Sequence, residues 1–452
     1  MIAVSRRRHE HRRSRYAAWI ATAATGAAVL YGATIVAQYL WGGAKEIDDD
    51  EENDDDYDDD NITDDDEEEE DVTEVLRDYL AKRDSKTCKP EDYRMPAEWE
   101  EHEGCWMGFP ERLDNWSGGA LDAQKNFAQV ATKIAEFEKV TVCAPRGSWE
   151  FARMILPRHI RVVEMSQDDS WFRDQAPIFV VHKKREKDKI AAVCFDFNAW
   201  GEVCYDDWEN DKLISKKIAS IECVPCMFPK MILEGGSIHV DGEGTLMTTR
   251  ECLLEPNCVN GKKRNPDMSK KDIEDRLKKY LGVEKFLWIP RGVHGDEDTN
   301  GHVDNMACFL APGIVALHWT DDEKDPQYER SLEALKFLEA STDARGRTLK
   351  VVKVHAPRNL IRTKEECEGL ATVDGTAPRS EGDLLPGSYI NFYMANGAVI
   401  LPQFGDKERD RMAVEVMRSV LPKRKIVPVQ SREILCGGGN IHCITQQQPR
   451  AP

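Results

Sequence analysis

Two segments of the chain nearly duplicate one another, Glu234-Gly-Gly-Ser-Ile-His-Val240 and Gly437-Gly-Gly-Asn-Ile-His-Cys443. A repeat constrains a fold more tightly than composition does, because each copy must fill an equivalent place in one architecture. Segments 302–319, 389–402 and, less clearly, 173–195 share a looser pattern of a strand, a turn and a second strand. They recur every ~60–90 residues with helical patterns between them, which predicts a radial or stacked array of βαβ-like units. Such an array gathers its strand ends around one central pit. Laid on the first copy of the repeat, Cys443 falls where Val240 stands. The Gly-Gly backbone lets chain and ligand approach closely there. Cys443 then reads either as a thiol in the pit or as a buried, inert cysteine.

Apolar residues at three- and four-residue spacing predict helices over 121–138, 269–281, 326–339 and 407–420. Strands are expected at 140–144, 177–182, 190–196, 244–248, 306–319, 350–354 and 389–401. These belong to a body running from 72 to 452, with a short entry helix over 71–83. Ahead of it lie two unlike segments. Residues 1–45 carry a balance of +6, and 17–41 hold no charge. That stretch is long enough to cross a bilayer as a helix, with its Arg-rich end kept cytoplasmic. An organelle-targeting sequence or a cleaved signal peptide are the other readings of the same residues. Residues 46–71 hold 20 Asp and Glu and no Lys or Arg, so self-repulsion makes them a disordered linker. The run lacks the ligand spacing of a calcium loop.

The formal charge of -20 comes from that run. The body is only mildly acidic and has no basic stripe, which argues against nucleic-acid binding. The 13 cysteines are odd in number and scattered, as in a reducing compartment. An anchor that placed the body in an oxidising space would sit uneasily with them. The lone CxxC at Cys223 and Cys226 has no second pair, and reads as two small apolar residues near a strand.

Three clusters carry candidate chemistry. In DEDTNGHVDN (296–305), His302 and Asp304 are two apart, so an extended chain points both to one side. A His beside a carboxylate can relay a proton while a cation is held. In DDSWFRDQAP (168–177), Asp174 follows Trp171; a charge in plane and a ring above suit a flat cation. In MPAEWEEHEGCWMGFPERLDNW (95–116), Trp99, Trp106 and Trp116 read as structural or as a rim, and the Asn115 sequon overlaps a packed segment. Asp174, Glu234, His302, Asp304 and Cys443 together describe a site for a cationic substrate. Their bland readings are a solvated acidic loop, a salt-bridged Asp and a core Trp. Metal-dependent hydrolysis ranks below, since no HExxH or comparable spacing occurs.

These segments resemble the agmatine deiminase family of the guanidino-group-modifying (pentein) superfamily. The likeness runs from about Met95 to Pro449. It includes FDFNAWG (195–201), LEGGSIHVDGEGTLMTT (233–249), WTDDEKDPQYERS (319–331), NFYMANGAVILPQFGD (391–406) and GGGNIHCITQQQP (437–449). The resemblance implies an α/β propeller with fivefold pseudo-symmetric ββαβ-type repeats, preceded here by the transmembrane helix and acidic linker. It also implies Cys443 as nucleophile, His302 as general acid/base, and Glu234 as the carboxylate working with that His. Asp174 and Asp304 would hold the guanidinium, Asp304 serving catalysis as well, and Trp171 would line the substrate pocket. The implied reaction is deimination of agmatine to N-carbamoylputrescine and ammonia through a Cys443 amidino-thioether, a step toward putrescine. No metal or organic cofactor is implied. The expected partners are the cationic guanidino substrate, a membrane through 17–41 and a second copy of the chain. Two departures from the family pattern are Gln-Ala-Pro after Asp174 and a long stretch at 255–269. A deiminase for free or peptidyl arginine is the rival within the superfamily, and should place an Arg or Lys in the pocket. A catalytically idle, membrane-tethered binding protein is the rival from another class.

Overall fold

The computed structural model describes residues 88–451, except 185–189 and Asn359. The expected anchor, acidic linker and entry helix lie outside the described residues. Among the described residues, no helix is long and apolar enough to cross a membrane.

The strands sort into five small mixed sheets, and one strand order recurs in all of them. Ile238–Val240 pairs antiparallel with Thr245–Thr249, which pairs parallel with Lys285–Ile289. Ala307–Ala311, Ile314–Trp319 and Lys350–His355 repeat that order. So do Tyr393–Ala395, Ala398–Gln403 and Lys425–Gln430. Ile178–His182, Ile190–Val193 and Cys226–Met227 form a fourth such set, with Tyr93–Arg94 added at its edge. In the fifth sheet the first strand comes from far along the chain: Thr445–Pro449 pairs antiparallel with His102–Gly108. The latter then pairs parallel with Lys139–Ala144, and that with Arg161–Glu164. Each parallel step needs a long crossover, and a helix fills it.

Helices form where the spacing predicts them, and their ends follow local chemistry. Ser269 and Asp272 make a reciprocal capping box ahead of Lys270–Leu281, and Gly282 at φ 66° stops that helix. Its Ile273, Leu277 and Leu281 are buried in one core with Ile238, Val240 and Leu246, at ~1.5–3 kcal/mol for each side chain. Asp325 and Asp406 cap Pro326–Glu339 and Lys407–Val420. The first helix ends at Ile134 rather than 138, because the chain turns over 135–138 to enter Lys139–Ala144. The expected strands at 306–319 and 389–401 are each broken by a turn at Gly313 (φ 73°) and Gly397 (φ 77°). Of the CxxC pair, only Cys226 is a buried strand residue. Cys223 is exposed, in a turn at φ 52°.

Candidate active site

The candidate residues occupy equivalent places. Each sits on a short turn just before the first strand of a sheet's antiparallel pair. Asp174 lies in Phe172–Gln175 ahead of Ile178–His182, and Glu234 precedes Gly235–Ser237 and Ile238–Val240. His302 and Asp304 open Val303–Met306 ahead of Ala307–Ala311. Cys443 lies in the turn before Thr445–Pro449. His302 and Asp304 are therefore not extended, as their spacing suggested. Asn300 and Gly301, at φ 59° and 85°, redirect the chain, and one helical turn carries the pair.

Their side chains nevertheless converge. A methyl group on Gly236 would lie 2.6 Å from His302 Nδ1, 2.9 Å from Asp304 Oδ2 and 3.1 Å from Asp174 Oδ1. Only glycine leaves that point open. The Cys443 thiol donates to Asp304 Oδ2 at 3.7 Å, and the Asn391 amide donates to its sulfur at 3.2 Å. Asp174 accepts from Trp200 Nε1 (2.8 Å) and from the Gly236 N–H (2.9 Å). Ala199 and Trp200 hold left-handed φ values of 49° and 56° to bring that indole in, a strain typical of functional sites. Trp171 donates to Asp169 at 2.9 Å and stacks on Trp116 at 5.5 Å. Gly439 lies against both Trp171 and Cys443.

All these groups are buried, and burial sets their titration. Burial raises the Asp174 carboxyl to about 6; Asp304 and Glu234 reinforce the rise and His302 opposes it. Burial also works against ionised Glu234, but Arg264 and His302 outweigh it and take Glu234 down to about 2. Arg264 Nε donates to Glu234 Oε1 at 2.7 Å, and Glu234 Oε2 lies 3.8 Å from His302 Nε2. Burial alone would discharge His302. Asp174, Cys252 and Glu234 instead hold its pKa well above the histidine range. Burial and then the Asp304 and Asp174 carboxylates push the Cys443 thiol well above its ordinary value.

A cleft of about 470 Å³, partly open to solvent, reaches Cys443, Asp174, Trp171 and Trp200. Arg112 and Arg379 also line it, cations that the short motifs did not place there. Both are already held by carboxylates. Arg112 pairs with Asp114 and Asp207 at 2.8 Å, and Arg379 with Asp298 at 2.7 Å. Among the described residues, two buried groups have the donors of a metal site: Glu98, His239 and His442, and Glu234, Cys252 and His302. In each, a guanidinium faces the carboxylate, Arg173 at 3.5 Å from Glu98 and Arg264 at 2.7 Å from Glu234. That positive charge weighs against a divalent cation.

The agmatine deiminase of Medicago truncatula is 54% identical over 366 residues, covering 79% of this chain and 96% of the relative. The chain belongs to the agmatine deiminase family. The Pseudomonas aeruginosa (strain LESB58) agmatine deiminase is 49% identical over 370 residues, covering 81% of this chain and 98% of its own. The solved agmatine deiminase of Enterococcus faecalis superposes with a TM-score of 0.76 at 44% identity, over 80% of this chain and 98% of that one. A broader family model, the Porphyromonas-type peptidyl-arginine deiminase, matches residues 94–449.

Several residues that the structure of this family member puts around the site escaped sequence reasoning. Arg264 lies within 255–269, set aside above as a departure from the family pattern. Asn391 and Trp200 stand inside matching segments, but nothing in an Asn or a Trp marks it as a neighbour of a thiol or an acid. His442 is adjacent to Cys443 in both chain and repeat, so its place in the duplicated Ile-His pair was an available signal.

Proposed function

We propose that this protein is an agmatine deiminase, hydrolysing agmatine to N-carbamoylputrescine and ammonia with Cys443 as nucleophile. One observation carries the reading: the buried Cys443 thiol touches Asp304, whose carboxylate converges with Asp174 and His302 at Gly236, and a cleft reaches both Cys443 and Asp174. Two buried carboxylates suit a planar guanidinium, which they bind through its N–H groups. Its positive charge favours ionisation of both Asp174 and the Cys443 thiol, so the substrate helps make its own nucleophile. The thiolate attacks the guanidinium carbon. His302, held as an imidazolium by Asp174 and Glu234, donates a proton to the departing nitrogen, and ammonia leaves. The His302 imidazole then takes a proton from water, which adds to the amidino-thioether carbon. The C–S bond breaks, releasing the ureido product and the thiolate. Glu234 keeps the imidazole in place through this cycle.

The wall of the cleft favours agmatine over arginine. Arg112 and Arg379 are both neutralised by aspartates, whereas an α-carboxylate needs a cation able to receive it. Purified full-length protein should release ammonia from agmatine with a kcat/KM at least tenfold above that for arginine, a difference of ~1.4 kcal/mol. Cys443→Ala should abolish turnover. Binding of agmatine without turnover by the wild type sinks the enzyme reading, and a preference for arginine sinks only the substrate.

The recurring strand order and the late strand that completes the fifth sheet support a five-bladed α/β propeller. The charge-free stretch 17–41 supports a retained membrane anchor. Carbonate extraction of membranes tests that anchor, and release into the soluble fraction counts against it.

A further inference from the structure

Behind Asp304 lies a second buried array that the reaction above does not use. His442 Nδ1 lies 2.8 Å from Asp304 Oδ2, and its Nε2 lies 2.7 Å from Glu98 Oε1. Both partners are carboxylate oxygens, which accept hydrogen bonds when ionised. A ring donating to both must carry a proton on each nitrogen. His442, Glu98 and Asp304 are 2%, 5% and 1% exposed, so water screens none of these charges. Arg173 reaches Glu98 at 3.5 Å, donates to the His442 carbonyl at 3.2 Å and is fixed by Gln447 at 2.7 Å. His239 Nε2 faces the other Glu98 oxygen at 3.6 Å, while its Nδ1 accepts from the Phe309 N–H. The Cys308 and Cys443 thiols, and His302 and Asp174 beside Asp304, are the other titratable neighbours.

We propose that His442, clamped by Glu98, is a positioning residue: a buried imidazolium that keeps Asp304 ionised and aimed at the substrate guanidinium. The contrast with Asp174 motivates it. Asp174 is held by neutral donors, the Trp200 indole and a backbone N–H. Asp304 is held by a cation. The titration directions agree. Burial opposes ionised Asp304, yet His442 brings its pKa below the carboxylate range, whereas Asp174 rises. Burial likewise opposes ionised Glu98, and His442, His239 and Arg173 together hold it well below its usual value. Burial and then Arg173 oppose the charge on His442, and Glu98 and Asp304 overcome them. Asp304 Oδ1 has no protein partner, which leaves it available to a substrate N–H. One carboxylate thus keeps its charge as the pH falls, while the other is protonated below about pH 6.

The proposal rests on the deiminase reading, and its test separates the two. In full-length enzyme, Glu98→Gln and His442→Gln should each lower kcat/KM for agmatine by on the order of 10²-fold, the cost of a misplaced reacting group. The acid limb of kcat/KM should also move to higher pH and steepen, because Asp304 then titrates along with Asp174. Glu98→Asp, which keeps the charge, should bring the limb back toward wild type. A uniform loss at every pH, or a Glu98→Asp profile like that of Glu98→Gln, overturns the proposal. Histidine ¹⁵N NMR on His302→Asn enzyme probes the array without altering it, and serves if the Gln variants fail to fold. It should show a buried imidazolium that does not titrate across about pH 5–8, the usual histidine range; absence of that signal overturns the proposal. If wild type does not turn over agmatine, the deiminase reading fails while the NMR result still decides the array.

Discussion

The chemistry of single residues here is set by what lies beside each buried charge. Asp174 has only neutral donors and titrates near 6, so free enzyme should lose guanidinium affinity as it is protonated. Wild-type kcat/KM for agmatine, which reports the free enzyme, should fall below about pH 6 with the slope of one proton. An acid limb that stays flat well below that value would remove Asp174 from cation binding. Lowering the pH protonates Asp174, which withdraws an acceptor, while His302 stays charged throughout. At this scale the sequence was most legible for groups whose chemistry is rare. A thiol in a Gly-Gly repeat, a His beside an Asp and an Asp after a Trp could all be picked out. Arg264, Asn391 and Glu98 could not, because their importance lies in partners distant in sequence, and His442 was marked only by the duplicated Ile-His pair. Glu98 meets His442 across 344 positions of chain.

The element that does most to assemble the site is the short turn before each antiparallel pair. It is too brief to have a periodicity: DEDTNGHVDN read as extended at His302 and Asp304, and DDSWFRDQAP showed no helical spacing of its own. The flanking strands and helices were legible because alternation and 3.6-residue spacing act over many residues. The turns were legible only where glycine marked them. Gly236 shows why glycine is needed: a methyl there meets the imidazole and both carboxylates at 2.6–3.1 Å. Gly236→Ala should therefore lower kcat/KM by on the order of 10²-fold. It should also lower Tm, since overpacking a buried point costs ~1–3 kcal/mol. Steady-state kinetics with a parallel thermal melt checks this. Unchanged kinetics would mean that the turn relaxes freely and that the convergence point is not fixed.

For the whole molecule, the repeat implied an array, and the five sheets with one strand order are that array. What the sequence did not convey is how its ends meet. His102–Gly108 and Thr445–Pro449 are ordinary apolar and polar runs, and neither shows the other as its neighbour. Cys443 lies two residues before the strand that completes the sheet begun by His102–Gly108. This has a consequence during synthesis. Four sheets can take shape as the chain emerges, but the fifth lacks its first strand until the ribosome has passed Pro449. A nascent chain therefore exposes no armed thiol, and premature termination yields an inert product. Chains truncated after Ile444, which keep Cys443 but lack Thr445–Pro449, should show no agmatine hydrolysis, while full-length chains should.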